Sequence, residues 1–131
     1  MVCLDTSVII ALLRRDASAT AKFEETAAAG GMVSTTVVSM CELYAGAYGS
    51  RRVTQELQRV ETLASLLRVL EFEVAAAKRY GELVNSQELR QKPIGDFDLV
   101  IASIAMSSQE PVATRNVEHF SRVPGLEVEY W

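Results

Sequence analysis

Histidine occurs once in this sequence, at His119, and cysteine only twice. Cys3 and Cys41 belong to no CxxC or Cys/His cluster, which argues against a structural zinc site. Each lies inside an apolar segment, so the expectation is two buried free thiols and a reducing cytoplasm. No apolar run reaches the roughly 20 residues that span a bilayer, and no membrane association is expected. The opening stretch, MVCLDTSVIIALLRR, has no basic start and is interrupted by Asp5; it reads as a strand and a helix rather than a signal peptide. Internal repeats and low-complexity linkers are absent too. Nor is there an excess of positive charge: 13 Lys and Arg face 17 Asp and Glu, a net charge of −4. The chain as a whole is therefore not attracted to nucleic acid, and RNA binding would need a local basic rim or a bound cation.

What is present fits one domain, residues 1–131. At 131 residues and 49% hydrophobic composition the chain can build a core without disulfides or a structural metal. Short β-favouring runs at Val2–Leu4, Met32–Thr35, Arg68–Phe72, Pro111–Thr114 and Leu126–Tyr130 alternate with helical patterns. Helices are expected from Thr6 or Ser7, either of which can cap, to Arg14, and over Ala17–Ala29, Val37–Gly49, Val53–Leu67, Val74–Arg90 and Asp96–Ser108. A short turn is expected at Val117–Phe120. This alternation implies βαβ crossovers and a mostly parallel sheet covered on both faces, an α/β fold. In such sheets ligands bind at the carboxyl ends of the strands.

Carboxylates gather at that edge. Asp5 ends the first strand, Glu42 lies in the helix after the second, and Asp96 and Asp98 open the helix before the fourth. Thr114, Arg115 and Asn116 follow the fourth strand directly. Carboxylate, amide and hydroxyl oxygens suit hard cations such as Mg²⁺ or Mn²⁺, and such an ion can activate water and polarise a phosphodiester. Each residue also has an ordinary explanation. Asp5 can cap the next helix, Asp96 can cap its own with Asp98 in the first turn, and Asn116 can be a turn residue. Glu42 is the hardest to explain away, being the only charged residue between Gly31 and Gly49. The coincidence of all of them at one edge carries the reading.

Those residues stand in recognisable blocks. LDTS at Leu4–Ser7 resembles the opening signature of PIN domains. SMCELYAG at Ser39–Gly46 is similar to their pattern of Glu, then Leu, then Gly. PIGDFDLVIASIA at Pro93–Ala105 resembles the G-x-x-D-x-x-I-A block, and ATRNVEHFSRVPGLEVEYW at Ala113–Trp131 is similar to the ending of VapC-type toxins. The resemblance runs from end to end. It implies a three-layer α/β/α sandwich, Mg²⁺-dependent cleavage of RNA, a homodimer, and inhibition by a cognate VapB-type antitoxin. It also implies metal-binding roles for Asp5, Glu42 and Asp98. The family's fourth position, often Asp, is Asn116 here. Thr6 and Thr114 match positions that support the acids or hold metal-bound waters. Asp96 is additional, and either joins the metal or caps its helix.

The resulting expectation is an endoribonuclease in which Asp5, Glu42 and Asp98 hold an ion and Asn116 and Asp96 orient water or a second ion. Structured RNA with unstacked loop bases, such as tRNA or rRNA, is the expected substrate class. Arg14 and Arg115, which follow segments near the acids, are candidates for substrate binding. His119 reads as a hydrogen-bonded loop residue rather than a general base, Tyr44 and Tyr48 as either interface or core, and Gly46 as either room for substrate or close packing. A phospho-accepting receiver domain is the rival from another class. It needs an aspartate ending the third strand and a later lysine, whereas here Glu71–Phe72 end that strand and no lysine follows Lys92. A PIN-like binding module without catalysis is the other rival.

Overall fold

The computed structural model covers Met1–Trp131. Five strands, β1 (Val2–Leu4), β2 (Val33–Thr36), β3 (Arg68–Leu70), β4 (Val112–Thr114) and β5 (Val128–Tyr130), form one sheet in the order β3-β2-β1-β4-β5. Every neighbouring pair is parallel, so the mostly parallel sheet expected from sequence is wholly parallel. Alternation along the strands divides the core. Val2, Leu4, Val33 and Ala113 point into one cluster, with Met40, Leu43 and Val60. Cys3 and Val112 point into the other, with Leu99, Ile101, Ala102 and Phe120. A sheet buried on both faces needs such two-sided apolar strands.

The first layer is made by α1 (Thr6–Leu13), α2 (Ala17–Ala28), α3 (Val37–Tyr48) and α4 (Val53–Ala64). The second is made by α5 (Val74–Val84), α6 (Gln87–Gln91), α7 (Asp96–Ser107) and α8 (Val117–Phe120). Gly30, at φ +76°, ends the run after α2 in a conformation that glycine adopts without strain. No helix is long and apolar enough to cross a membrane.

Three expectations need correction. The long helix over Val74–Arg90 is two helices. Asn85 Nδ2 turns back to the Gly81 carbonyl, Ser86 Oγ donates to the Leu83 carbonyl, and the same hydroxyl accepts from Leu89 N to start α6. Side chains that bond nearby backbone compete with helix continuation in this way. The cap of α1 is Asp5, not Thr6 or Ser7. Finally, Cys41 is exposed while Cys3 is buried; the buried side of α3 carries Ser39, Met40, Leu43 and Ala47, and Cys41 lies off it.

The strand order grows in one direction through β1, β2 and β3 and in the other through β4 and β5. The reversal lies between β1 and β4, which creates a crevice at their carboxyl ends. The helices run back along the sheet, so α7 begins where β4 ends. That one edge therefore receives Asp5 after β1, Glu42 from α3, Asp98 from the first turn of α7, and Thr114 to Asn116 after β4.

Candidate active site

Asp5 is the buried centre of this edge, with only 5% of its surface exposed. Its main chain is tied across the switch point, Asp5 N donating to the Ala113 carbonyl at 3.0 Å. Oδ1 accepts from Ser7 Oγ at 2.5 Å and from Val8 N at 3.3 Å. Oδ2 accepts from Thr114 Oγ1 at 2.7 Å. The ordinary role holds, since Asp5 caps α1, and the same carboxylate lies at the switch-point edge. Ser7 is the hub. Its hydroxyl bonds Asp5 and accepts from Arg115 N at 3.0 Å, joining the first turn of α1 to the end of β4.

Glu42 is held from α1, since Thr6 Oγ1 donates to its Oε1 at 2.6 Å. On the far side, Asn116 N donates to Thr114 Oγ1 at 2.9 Å. The Asn116 side-chain amide meets His119 Nδ1 at 2.8 Å, and the same ring nitrogen lies 3.4 Å from Asp98 Oδ2. His119 is therefore on α8 and part of the acidic edge, not a loop residue apart from it. A chain of polar contacts runs from Asp5 through Thr114, Asn116 and His119 to Asp98.

The remaining residues separate. Asp96 does not cap α7: that position is Gly95, and no side chain caps it. Asp96 is exposed and its nearest polar partner is the Tyr80 hydroxyl at 3.4 Å. Arg115 is committed to structure. Its guanidinium pairs with Asp16 at 2.5 Å and donates from Nε to the Trp131 main-chain oxygen at 2.6 Å. It also lies 5.3 Å from the Tyr130 ring centroid. Arg14, by contrast, is exposed and has no ion-pair partner. It lines a groove of about 250 Å³ with Glu42, Gly46, Glu56 and Arg59. A Cβ on Gly46 would meet nothing within 4 Å, so this glycine leaves open space rather than allowing close packing. Tyr44 packs against the core, and Tyr48 is exposed.

The donor set can be judged by its chemistry. No group of three His, Cys, Asp or Glu side chains stands close enough together to hold a metal ion. The acids still act on one another. Burial pushes the Asp98 carboxyl above the usual carboxylate range, His119 pulls it down, and Asp5 and Glu42 push it up again. Carboxylates that repel one another, with hydroxyls bonded to two of them and no thiolate beside them, fit a hard, largely hydrated cation. Mg²⁺ keeps several waters and takes one or two carboxylates, so an open arrangement suits it.

Fold and edge together define a three-layer parallel α/β domain with an acidic switch point. Residues 2–126 match the PIN domain family, and the chain belongs to that family. It is 31% identical over 129 residues to the tRNA(fMet)-specific endonuclease VapC of Shigella flexneri, covering 98% of this chain and 96% of that protein. It is 29% identical to Ribonuclease VapC1 of Haemophilus influenzae, again over 98% of this chain and 96% of the relative. Among solved structures it resembles VapBC2 from Rickettsia felis bound to a promoter DNA fragment, with a TM-score of 0.91 and 28% identity over 100% of this chain and 99% of that one. A DNA-bound VapBC from Salmonella typhimurium gives the same score and identity over the same shares.

Proposed function

We propose that this chain is the toxin ribonuclease of a VapBC-type toxin–antitoxin pair and that it hydrolyses RNA phosphodiesters with Mg²⁺, for which Mn²⁺ can substitute. The observation that carries this reading is the convergence of Asp5, Glu42 and Asp98 on the switch-point crevice of a PIN domain. A divalent ion held there supplies positive charge for the phosphate and lowers the pKa of its water. Asp5 and Asp98 are the primary holders, Glu42 the third, and Asn116 offers an amide oxygen at the rim. Thr6, Ser7 and Thr114 keep the carboxylates in fixed rotamers by donating to Glu42 and Asp5. Preorganised oxygens of this kind need no rearrangement when substrate arrives. A bound ion would also answer the unfavourable net charge of −4, because it would partly neutralise the acidic site where phosphate docks. Arg14, unpaired at the groove mouth beside Glu42, adds a cation for the RNA backbone.

The chain acts as a homodimer in this reading, in the cytoplasm, with a VapB-type antitoxin as its inhibitor. The groove beside Glu42 has apolar walls, including Leu13 and Val60, suited to an antitoxin tail whose Arg or Lys reaches the acids. Clustered, partly buried like charges call for such compensation. The substrate is structured RNA such as tRNA or rRNA, read at unstacked loop bases.

Mapping RNA 5′ ends after the chain is expressed without antitoxin tests the activity. New ends at a few discrete positions are expected with the wild type and not with Asp5→Asn. Identical end maps for the two proteins would contradict the proposal.

A further inference from the structure

Arg115 is fixed in place, yet part of it is left for something else to touch. Its guanidinium donates from Nε to the Trp131 main-chain oxygen at 2.6 Å and from Nη2 to Asp16 at 2.5 Å. The Tyr130 ring backs it, 5.3 Å from centroid to guanidinium carbon. Nη1 is left without a protein partner, and 27% of the side chain remains exposed. Most arginines on a surface sample many rotamers. This one is a preset plane with a free N–H edge. An unstacked RNA base can lie on such a plane, and the edge can donate to the ring nitrogens and carbonyls of a base.

Arg115 stands in a groove of about 460 Å³, lined also by Ser7, Ile10 and Ala11 of α1 and by Arg14 and Asp16. That volume lies within the ~300–1,000 Å³ of pockets that hold small molecules. Ser7 ties the groove to the acidic edge, because its hydroxyl donates to Asp5 Oδ1 at 2.5 Å. Arg14, exposed and without an ion-pair partner, stands at the other end of α1, about 10 Å away at ~1.5 Å per residue. The turn that carries it is held. Arg15 takes a left-handed φ of +57°, and Asp16 caps α2 through Ala19 N at 3.0 Å while pairing with Arg115. Charge separates this groove from the one beside Glu42. There Arg14 and Arg59 meet Glu42 and Glu56, and the charges balance. Here Arg14 and Arg115 meet Asp16 alone, which leaves one positive charge in excess, and a phosphate complements it.

We propose that this groove binds a nucleotide neighbouring the scissile phosphate of a single-stranded RNA segment, its base lying on Arg115 and its phosphate meeting Arg14. The inference rests on the ribonuclease reading above and adds to it the place where the strand continues. The two arginines have separable roles. Arg14 supplies a charge with no partner in the protein, so its effect falls with salt. The charge of Arg115 is already answered by Asp16, so Arg115 supplies its plane. Arg115→Lys keeps the charge and can still pair with Asp16, but an ammonium has no plane to stack on.

Fluorescence anisotropy of a labelled single-stranded oligoadenylate tests this on the full chain. Asp98→Asn as background and excess chelator keep both cleavage and metal out of the measurement. Arg115→Lys is expected to weaken binding about tenfold, the scale of losing one base–side-chain stack, and to leave the salt dependence as it was. Arg14→Ala is expected to flatten the slope of log K against log[salt] by about 0.7, one phosphate contact of a single strand. Arg14 is exposed, so this second variant still reports if Arg115→Lys disturbs the fold. Unchanged affinity in both variants would overturn the proposal. So would a slope that Arg115→Lys flattens and Arg14→Ala does not, or an unaltered groove that does not bind oligoadenylate. If both changes spare oligoadenylate and instead loosen a co-expressed VapB-type antitoxin, the groove is a protein site and the proposal is wrong. A wild-type chain that cleaves no RNA would defeat the ribonuclease reading by itself, because oligoadenylate binding judges the groove separately.

Discussion

Asp98→Asn is expected to slow RNA cleavage by the purified chain about a thousandfold, the scale of losing a preorganised charged group from an active site. The same variant should melt at a higher temperature than wild type in the absence of divalent ions. The reason is electrostatic. Asp98 is half-buried, and burial, opposed by His119 but reinforced by Asp5 and Glu42, raises its pKa. A carboxyl whose folded pKa exceeds its unfolded value favours the fold most when protonated, below the unfolded pKa. That contribution is lost as pH rises through the folded pKa. At neutral pH the charged form is therefore a cost, and the neutral amide removes it. Function and stability should move in opposite directions, as they do where a site is built for a ligand rather than for the fold. Asp96→Asn is the matched control two residues away. Asp96 is exposed, caps nothing, and reaches only the Tyr80 hydroxyl. Its replacement should change cleavage by no more than about twofold, the scale of an ordinary surface substitution of ~0.5 kcal/mol. Cleavage assays beside thermal melts decide both points. A dead Asp96→Asn with an active Asp98→Asn would put the wrong carboxylate in the site.

The second large effect is on stability. A ligand that binds only the folded state stabilises it by about 2.7 kcal/mol at a hundredfold excess over Kd. For a domain of this size that corresponds to a rise of about 8 °C in melting temperature. Millimolar Mg²⁺ or Mn²⁺ is expected to produce such a rise in wild type, and Asp5→Asn should abolish most of it. The comparison is clean because Asn is as good a helix cap as Asp, so the cap bond to Val8 N survives the change. The readout is the difference between melts with and without the ion, which is insensitive to any shift in the baseline. An undiminished rise in the Asp5→Asn protein would place the ion elsewhere.

Much of this was legible from residue order alone. Apolar runs alternating with helical periods give a parallel sheet, and acids near the carboxyl ends of its strands mark the edge proposed as the site. Other features were hidden because they depend on partners far along the chain. Ser7 looks like a helix cap in sequence, yet its hydroxyl joins Asp5 to Arg115 N across 108 positions. The LDTS block carried the signal, but nothing local assigns the work to its serine. Arg115 looks like a free cation beside the acids; its partner Asp16 is 99 positions away. His119 gains its place because α8 folds it back onto Asn116 and towards Asp98. The break between α5 and α6 was hidden for another reason. Leu83, Val84 and Leu89 continue the apolar period across it, while Asn85 and Ser86 end the helix through their own side-chain bonds.

The central claim is that the Asp5, Glu42 and Asp98 edge cleaves RNA only with a divalent ion in place. Incubating the purified chain with structured RNA in excess chelator, then restoring Mg²⁺ or Mn²⁺, tests it most directly. The account predicts no cleavage under chelation, recovery on adding either ion, and no recovery in Asp98→Asn. Cleavage that continues undiminished in excess chelator, with Asp98→Asn as active as wild type, would contradict it.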